Sequence, residues 1–491
     1  MSRANRHSSV RPRLSGVSPI RLGSALPPLA ELPPWTMPLV LLPILMMVGL
    51  LAGINPAVGL FAAFGLIFIL VALTDLATGV AVLILVVFIE SAPITAISAD
   101  KLVGLILAGA WVVRLSTQPS SRERQIFSDH PAFSYLLVLF LGWVLLSTAW
   151  AENSANALGQ FSDFLLVAVL YVIVYTAIRT RRQAMIVIGA FVAGSAYTAA
   201  YGLVNKPTLD TVEAGRLVST IADPNFLAAS LIAGTALAGA GIVAARGRPI
   251  LQLASGGALA SCLAAFVLTG SRGGIVGLTV ALLTAIVVSG RWRAATTIAV
   301  MAVVGFSIGY YTLYAPPEVK SRIEGATQGE TQQQDGRSTI WTVGWRMVED
   351  NPIIGVGAGN FEDQSVRYVI EPGRTFRTDR VIDNPGVSHN SYLGPLAELG
   401  IIGALLFVSI IGFSVAAAYR AAIRFARSGD RQMEALSRGL LVACVGILAA
   451  GFFISAEASK QIWLLLALCP ALLAIAAASE NDGPEEASSP R

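Results

Sequence analysis

A long series of apolar segments constrains this chain more than any other feature of its sequence. We identify about 14 segments, most of them near the ~20 residues that cross the hydrocarbon core of a bilayer. Hydrophobic residues make up 55% of the chain and charged residues only 13%, whereas soluble domains are about a quarter charged. The sequence therefore predicts an all-α polytopic membrane protein with about 12–14 transmembrane helices, because the segments at 78–90 and 100–115 are short and could be tilted or re-entrant.

The distribution of basic residues predicts the orientation of the chain. With the N-terminus in the cytoplasm, 21 of the 34 Lys and Arg residues lie in inner segments. Of the 13 on the outer side, 8 lie in one long loop, 314–391, and the positive-inside rule discounts long translocated loops. We therefore expect both termini to be cytoplasmic and this loop to be extracytoplasmic.

This topology divides the chain into five regions. They are a basic cytoplasmic tail at 1–36, transmembrane helices at 37–313, a periplasmic loop domain at 314–391, C-terminal transmembrane helices at 392–478 and a cytoplasmic tail at 479–491. The basic tail leads to no short apolar segment with a small-residue cleavage site, so we expect the first apolar run to remain as a span.

The long outer loop contains two local patterns. Trp341, Trp345 and Val348 recur with helical spacing, which predicts an amphipathic helix over 338–350. These tryptophans could cover a site or seat the loop in the membrane interface. The sequence GVGAGNF at 355–361 predicts a glycine-rich turn.

Three side chains on the predicted outer face could support chemistry. Arg216 lies in RLVSTIADPNF, Arg272 in the tight turn TGSRGG, and His389 in GVSHNSY at the end of the long loop. Two guanidinium groups and one imidazole suit a membrane-anchored diphosphate that reacts with a hydroxyl. Each residue also has a plainer interpretation. Arg216 could be a solvated loop arginine, Arg272 could snorkel to lipid headgroups, and His389 could be structural.

Other classes of site are not predicted. Cys262, Cys444 and Cys469 lie within apolar runs without a C-x-x-C, which favours small core residues over disulfides or metal ligands. No D-x-D carboxylate pair lies on the outer side, and no Walker loop or dinucleotide fingerprint occurs in its proper context. We therefore expect no metal, no cofactor and no nucleic-acid partner.

Four motifs resemble the O-antigen ligase and O-antigen polymerase superfamily. They are R-L-x-S-T-x-x-D-P-N at 216–225, G-S-R-G-G at 270–274, a pattern from Trp341 to Phe361 that ends in N-P-x-x-G-V-G-x-G-N-F, and H-N-S-Y-L-x-x-x-x-E-L-G-x-x-G at 389–403. Each motif is weak alone, but their order around one long outer loop is fairly specific. The resemblance covers roughly residues 130–475.

The resemblance implies a helical fold like that of C-type glycosyltransferases, in the bacterial inner membrane. It implies transfer of a glycan from undecaprenyl diphosphate to an acceptor sugar at the periplasmic face, with inversion and without a metal. It further implies that His389 is the catalytic residue and that Arg216 and Arg272 bind the diphosphate.

Four more residues have supporting roles in this hypothesis. Asn225 ends the first motif. Asn390 and Tyr392 could orient the imidazole or the acceptor. Glu398 is a costly carboxylate within a predicted span, and it could pair with an arginine.

The sequence leaves the acceptor open. A ligase transfers the polymer to lipid A–core, whereas an O-antigen or exopolysaccharide polymerase transfers it to a second lipid-linked repeat unit. A transporter or lipid flippase is the alternative from another class, but it should carry charges or broken helices near the bilayer midplane. The mid-span positions here are nearly free of charge, so the sequence favours a ligase-like transferase, with a polymerase second.

Overall fold

A computed structural model gives atomic detail for most of the chain. The described residues are 42, 46–50, 52–89, 98–117, 126–205, 215–327, 334–370, 381–382 and 386–481. The predicted tail at 1–36 and residues 482–491 of the predicted C-terminal tail lie outside them. The chain divides into two compact units, Met1–Leu66 and Ile67–Arg491. In the first unit, the described residues are helical on both sides of Asn55. The second unit contains all of the candidate site residues.

The described residues form helices joined by turns, without a strand among them. The α-helices are α1 Pro56–Thr74, α2 Leu76–Ile89, α3 Ala99–Thr117, α4 Ile126–Asp129, α5 Pro131–Leu146, α6 Ser154–Ala177, α7 Arg181–Asn205, α8 Pro224–Ala244, α9 Pro249–Leu268, α10 Arg272–Val288, α11 Arg293–Tyr314, α12 Pro317–Thr327, α13 Gln334–Asp350, α14 Phe361–Val369, α15 Leu393–Ser428, α16 Arg431–Ala450 and α17 Lys460–Asn481. Short 3-10 turns follow α5, α10 and α16.

The length and hydropathy of these helices confirm an all-α polytopic membrane protein. Among the described residues, nine helices are long and apolar enough to cross a membrane. Three shorter apolar helices accompany them, over Val58–Thr74, Leu76–Ile89 and Arg272–Val288. The 19-residue helix α3 contains the predicted 100–115 segment and the 14-residue helix α2 most of the 78–90 segment.

Successive helices run in alternating directions, so that several loops gather at one end of the bundle. This end, called the loop end below, holds the turns at 149–153, 269–271 and 454–459. Hydrogen bonds join its parts: the Leu217 N–H donates to the Leu268 carbonyl at 2.9 Å, and the Asn153 N–H donates to the Asn360 side chain at 2.7 Å. The glycine-rich turn at 355–361 therefore lies at this end.

The transmembrane core is packed through small residues. Helices α10 and α16 approach closely where Gly277 faces Gly446, and a Cβ at residue 277 would lie 2.9 Å from the Gly446 carbonyl oxygen. Small residues let membrane helices approach each other and gain dispersion contacts that lipid cannot supply. This contact holds α10, which begins at Arg272, against the C-terminal helices.

We expect Gly277→Ala to destabilise the protein by about 1–3 kcal/mol, because the added methyl group overpacks this contact. The matched control is Gly257→Ala in the middle of α9, where a Cβ would meet nothing within 4 Å. Thermal unfolding of the detergent-solubilised protein, followed by size-exclusion chromatography, measures both. Equal melting temperatures for the two variants would contradict this packing.

The helix predicted at 338–350 is present. Helix α13 begins earlier, at Gln334, and buries Thr339, Val343 and Met347, which are 1%, 0% and 0% exposed. Trp345, by contrast, is 54% exposed. The buried residues of α13 pack into a small cluster formed with α14 and α15.

A sharp kink breaks helix α15 near its start. Gly400 has φ +64° inside the 36-residue helix, a conformation that costs a side-chain-bearing residue free energy. A Cβ there would also lie 2.2 Å from the Ile353 carbonyl oxygen. The glycine therefore lets residues 393–399 turn away from the main axis of α15 and form part of the loop end.

Candidate functional site

Two of the three loops that carry the candidate residues, those of Arg272 and His389, meet at one turn. This 451–457 turn connects α16 to α17. The Ser391 N–H donates to the Gly451 carbonyl at 2.9 Å, and the Ser391 hydroxyl donates to the Ile454 carbonyl at 2.7 Å. On the other side, a Cβ at Gly273 would lie 2.5 Å from the Phe453 Cβ. The structure therefore brings the Arg272 turn and the His389 segment to the same few residues.

The Arg216 side chain is buried within the loop end. It is 3% exposed, and its Nε donates to the Thr269 carbonyl at 2.7 Å. Its Nη2 donates to the Asn225 Oδ1 at 2.9 Å, which also accepts from the Ser271 hydroxyl at 2.9 Å. Arg216 and Asn225 thus tie the first motif to the turn that precedes Arg272.

Arg272 is the first residue of helix α10 and is half-buried. Ser271 caps the helix, because its hydroxyl accepts from the Gly274 N–H at 3.1 Å. The N-terminus of a helix carries unpaired N–H groups and a positive partial charge, which favour phosphate. A guanidinium group at the first position of such a helix adds a full charge to the same place.

His389 has an unusual backbone and an exposed side chain. Its φ is +48°, the only positive φ of a non-glycine residue among those the structure describes. Left-handed conformations of this kind cost about 1–3 kcal/mol and cluster at functional sites. The ring is presented to solvent at the rim of the loop end. A structural histidine would more often be buried, so the geometry favours a role for its imidazole.

The two residues predicted to support His389 are held by local hydrogen bonds. Asn390 is buried, and its Oδ1 accepts from the N–H groups of Tyr392 and Leu393, both at 3.0 Å. The Tyr392 hydroxyl donates to the Leu448 carbonyl at 2.8 Å. These bonds fix the start of α15 and with it the backbone at His389. Direct contact of either residue with an acceptor stays a prediction.

The structure shows no arginine paired with Glu398 among the described residues, so the predicted pairing is not found there. Among the described residues its carboxylate accepts from two N–H groups of the glycine-rich turn, those of Gly359 at 3.0 Å and Phe361 at 3.2 Å. The turn at 355–361 is present as predicted and has three glycines with positive φ. Their left-handed backbone points successive N–H groups inward, and such a concavity binds anionic groups without a basic side chain.

We expect Glu398→Gln to lower the melting temperature, because the amide can accept at most one of the two N–H bonds and presents donors to the other. A buried donor left unpaired costs about 1–3 kcal/mol. The matched control is Glu362→Gln, an exposed residue of the same neighbourhood. If both variants have the melting temperature of the wild-type protein, Glu398 does not stabilise the glycine-rich turn.

A polar cavity of about 330 Å³ opens beside this turn. Its walls come from α6, the glycine-rich turn, the start of α15 and the 451–457 turn, with polar lining residues Asn156, Gln160, Glu362, Ser388, Glu398, Ser455 and Glu457. Arg216, Arg272 and His389 do not line it, although Ser388 is the chain neighbour of His389. The cavity therefore lies beside the chain segment that carries His389.

Glu457 is the functional candidate that sequence reasoning missed. Burial raises the pKa of its carboxyl to about 7, opposed by the N–H groups of Glu457 itself and Ala456. Its Oε2 is buried and finds no hydrogen-bond partner among the described residues. The signal was present in the sequence, since FISAEASK places one isolated carboxylate in a short outer loop between two apolar runs.

A second cavity, of about 240 Å³, is apolar and begins at the Arg272 turn. Gly270 and Ser271 line it at this turn, and side chains of α9, α10, α11 and α12 line the rest, among them Phe266, Leu278 and Ile308. Helix α11 buries no residue within the chain, so the groove lies beside a loosely packed outer helix. Such a groove suits a long hydrocarbon chain.

Potential metal ligands are not clustered in the described part of the chain, where no group of three or more His, Cys, Asp or Glu residues could hold an ion. The three cysteines are buried and free. Cys444 and Cys469 contact each other at 3.7 Å inside the core.

Comparison with known proteins supports the interpretation of three of the four motifs. Residues 257–408 match the sequence model of the O-antigen ligase family. An O-antigen ligase from Pseudomonas aeruginosa is 34% identical to this chain over 170 residues. The resemblance to the O-antigen ligase superfamily is confirmed. The alignment spans 34% of this chain and 34% of the relative, about a third of the length of each.

The segment that matches the family model contains part of the loop end. It includes Arg272, the glycine-rich turn, His389 and Glu398, whereas Arg216 and Glu457 lie outside residues 257–408. Both outlying residues are nevertheless joined to the segment: Arg216 bonds to Thr269, and Glu457 lines the cavity together with Glu398.

Proposed function

We propose that this protein transfers a glycan from undecaprenyl diphosphate to a sugar hydroxyl at the loop end, on the periplasmic face of the bacterial inner membrane. The observation that carries the proposal is the meeting of the Arg272 and His389 loops at the 451–457 turn, with the Arg216 loop bonded to the turn before Arg272. An apolar groove begins at the arginine-bearing loop, and a polar cavity opens beside the histidine-bearing loop. Such a pair of cavities suits a lipid-linked donor and a hydroxyl-bearing acceptor.

The donor side is supported by the continuity of the groove with the start of α10. Gly270 and Ser271 line the groove, and Arg272 is the next residue. A prenyl chain in the groove would leave its diphosphate at the helix N-terminus, where helix N–H groups and a guanidinium attract phosphate oxygens. Arg216 would hold the turn from below and add positive charge.

The transfer step is a substitution at the anomeric carbon. The acceptor oxygen forms the new bond to that carbon while the bond to the diphosphate oxygen breaks, and the electron pair of that bond leaves with the diphosphate. The arginines stabilise the charge that develops there. His389 positions the acceptor hydroxyl and accepts its proton, and attack from the opposite side inverts the configuration.

The experiment that tests this function compares glycans from a deletion strain rescued with wild-type protein or with a His389 variant of equal expression. Lipid A-linked and undecaprenyl-linked chains are separated and sized by gel and mass spectrometry. We expect only the wild type to restore transfer. Full rescue by the variant would contradict the proposal and favour the transporter alternative.

The species that accumulates in the deletion strain also identifies the acceptor. Long lipid-linked chains without transfer to lipid A indicate a ligase, which we propose. Single lipid-linked repeat units indicate a polymerase, the second candidate, because chain growth itself has then stopped. The family match in residues 257–408 supports the ligase.

A further inference from the structure

We propose that the polar cavity beside Glu457 binds the acceptor sugar and selects a sugar ring without negative charge. This inference rests on the proposed function, because it assigns the second substrate of the same site. The cavity would then be the acceptor subsite, distinct from the donor position at Arg272. It also limits the chemistry of the acceptor, which neither the family match nor the motifs specify.

The composition of the cavity suits a ligand with many hydroxyl groups. Carboxylates accept hydrogen bonds from hydroxyls, amides both donate and accept, and serine hydroxyls do either. The cavity offers two amides, from Asn156 and Gln160, and two hydroxyls, from Ser388 and Ser455. Its volume of about 330 Å³ lies in the range of small-molecule sites, ~300–1,000 Å³.

The position of the cavity suits an acceptor that must reach His389. Ser388 lines the cavity, and its hydroxyl donates to the Asn390 carbonyl at 2.9 Å. The residue between them, His389, is thus held at the rim by its own neighbours. A sugar in the cavity would present a hydroxyl at this rim, where the imidazole is exposed.

The charge of the cavity predicts its selectivity. Glu362, Glu398 and Glu457 line it, and no Lys, Arg or His does so among the described residues. The Glu398 carboxylate is already engaged by two N–H groups. The Glu457 Oε2, by contrast, is buried without a partner in the described part of the chain. Burial of this group is costly, and the Glu457 carboxyl also lines the cavity, where a sugar hydroxyl would donate to it. A second carboxylate on the ligand would be repelled.

The test measures sugar binding directly, without donor or turnover. The full chain in lipid nanodiscs is titrated with methyl β-glucoside, methyl β-galactoside and methyl β-glucuronide, and binding is followed by saturation-transfer NMR. The glucuronide differs from the glucoside in carrying a carboxylate. At pH 8 we expect saturable binding of a neutral glycoside and at least about tenfold weaker binding of the glucuronide.

Two variants locate the binding. Gln160→Trp fills the cavity from the α6 side and should abolish the signal of the neutral glycosides. Leu158→Trp is the matched control, because Leu158 lies on the same helix and is 52% exposed. Absence of saturable binding by either neutral glycoside, equal binding of the glucuronide, or binding that survives Gln160→Trp would overturn the proposal. Sugar binding without any glycan transfer would instead contradict the proposed function alone.

The pH dependence of glycoside binding tests the role of Glu457 independently. The Glu457 carboxyl, with a pKa of about 7, is mostly neutral at pH 6 and ionised at pH 8, so discrimination against the glucuronide should widen as pH rises. Other titratable groups nearby are Glu362, Glu398 and His389, while Lys460 pairs with Asp100. Glu457→Gln should remove the change between pH 6 and pH 8. If discrimination still widens in this variant, Glu457 is not its source.

Discussion

Replacing Arg272 by alanine is expected to lower glycan transfer by about 10²–10³-fold, the usual cost of removing one group that stabilises charge in the transition state. The guanidinium lies at the N-terminus of α10, where the leaving diphosphate would gather negative charge. Arg272→Lys keeps the positive charge but cannot form bidentate hydrogen bonds with phosphate, so we expect an intermediate loss of transfer rate. The measurement is initial transfer rate at saturating donor, with protein reconstituted in liposomes.

The matched control is Arg293→Ala. Arg293 is also the first residue of a helix, α11, but it is exposed and lies at the opposite end of the bundle. We expect this variant to transfer at the wild-type rate. An Arg272→Ala protein as active as Arg293→Ala would contradict the donor position proposed here and leave Arg272 as a residue that contacts headgroups.

Replacing His389 by asparagine is expected to lower the transfer rate by about 10²–10⁴-fold, the typical contribution of a general base. Asparagine is the sharper choice because it tolerates the left-handed backbone found at this position, so the loop keeps its shape while the imidazole is lost. His389→Ala adds backbone strain and serves as the comparison for stability. Melting temperature is measured on both variants.

The pH–rate profile separates a base from a residue that only holds the loop. If His389 accepts the proton, the wild-type rate falls as pH drops through the histidine range, near pH 6.5, and the asparagine variant loses this dependence. A variant with a reduced rate but an unchanged profile would show that the imidazole positions the acceptor. A wild-type rate in a well-folded variant would contradict either role.

Residue patterns were sufficient to predict the helical membrane fold and the convergence of the loops. Apolar length marks a span because backbone N–H and C=O groups must be satisfied inside lipid. Alternation of the spans then places Arg272 and His389 at the same end, and contacts of both segments with the 451–457 turn agree. The glycine-rich turn was also readable, because three closely spaced glycines permit a backbone that other residues resist.

Details set by tertiary packing could not be read from local patterns. The buried face of α13 depends on which neighbours accept it, so the helical spacing alone does not reveal that Val343 and Met347 are the buried residues. The partners of Glu398 come from a turn some 40 residues away in sequence, and they are backbone groups that no side-chain pattern reveals. Glu457 becomes notable only when burial and the cavity are known.

The most direct test of the proposed transfer is a reconstituted reaction with defined components. Purified protein in liposomes receives an undecaprenyl-diphosphate-linked glycan and lipid A–core, and released undecaprenyl diphosphate is quantified together with the glycan-bearing product. We expect equal amounts of both from wild-type protein and almost none from Arg272→Ala or His389→Asn. Intact donor with wild-type protein, or donor that merely changes leaflet, would contradict glycan transfer at the loop end.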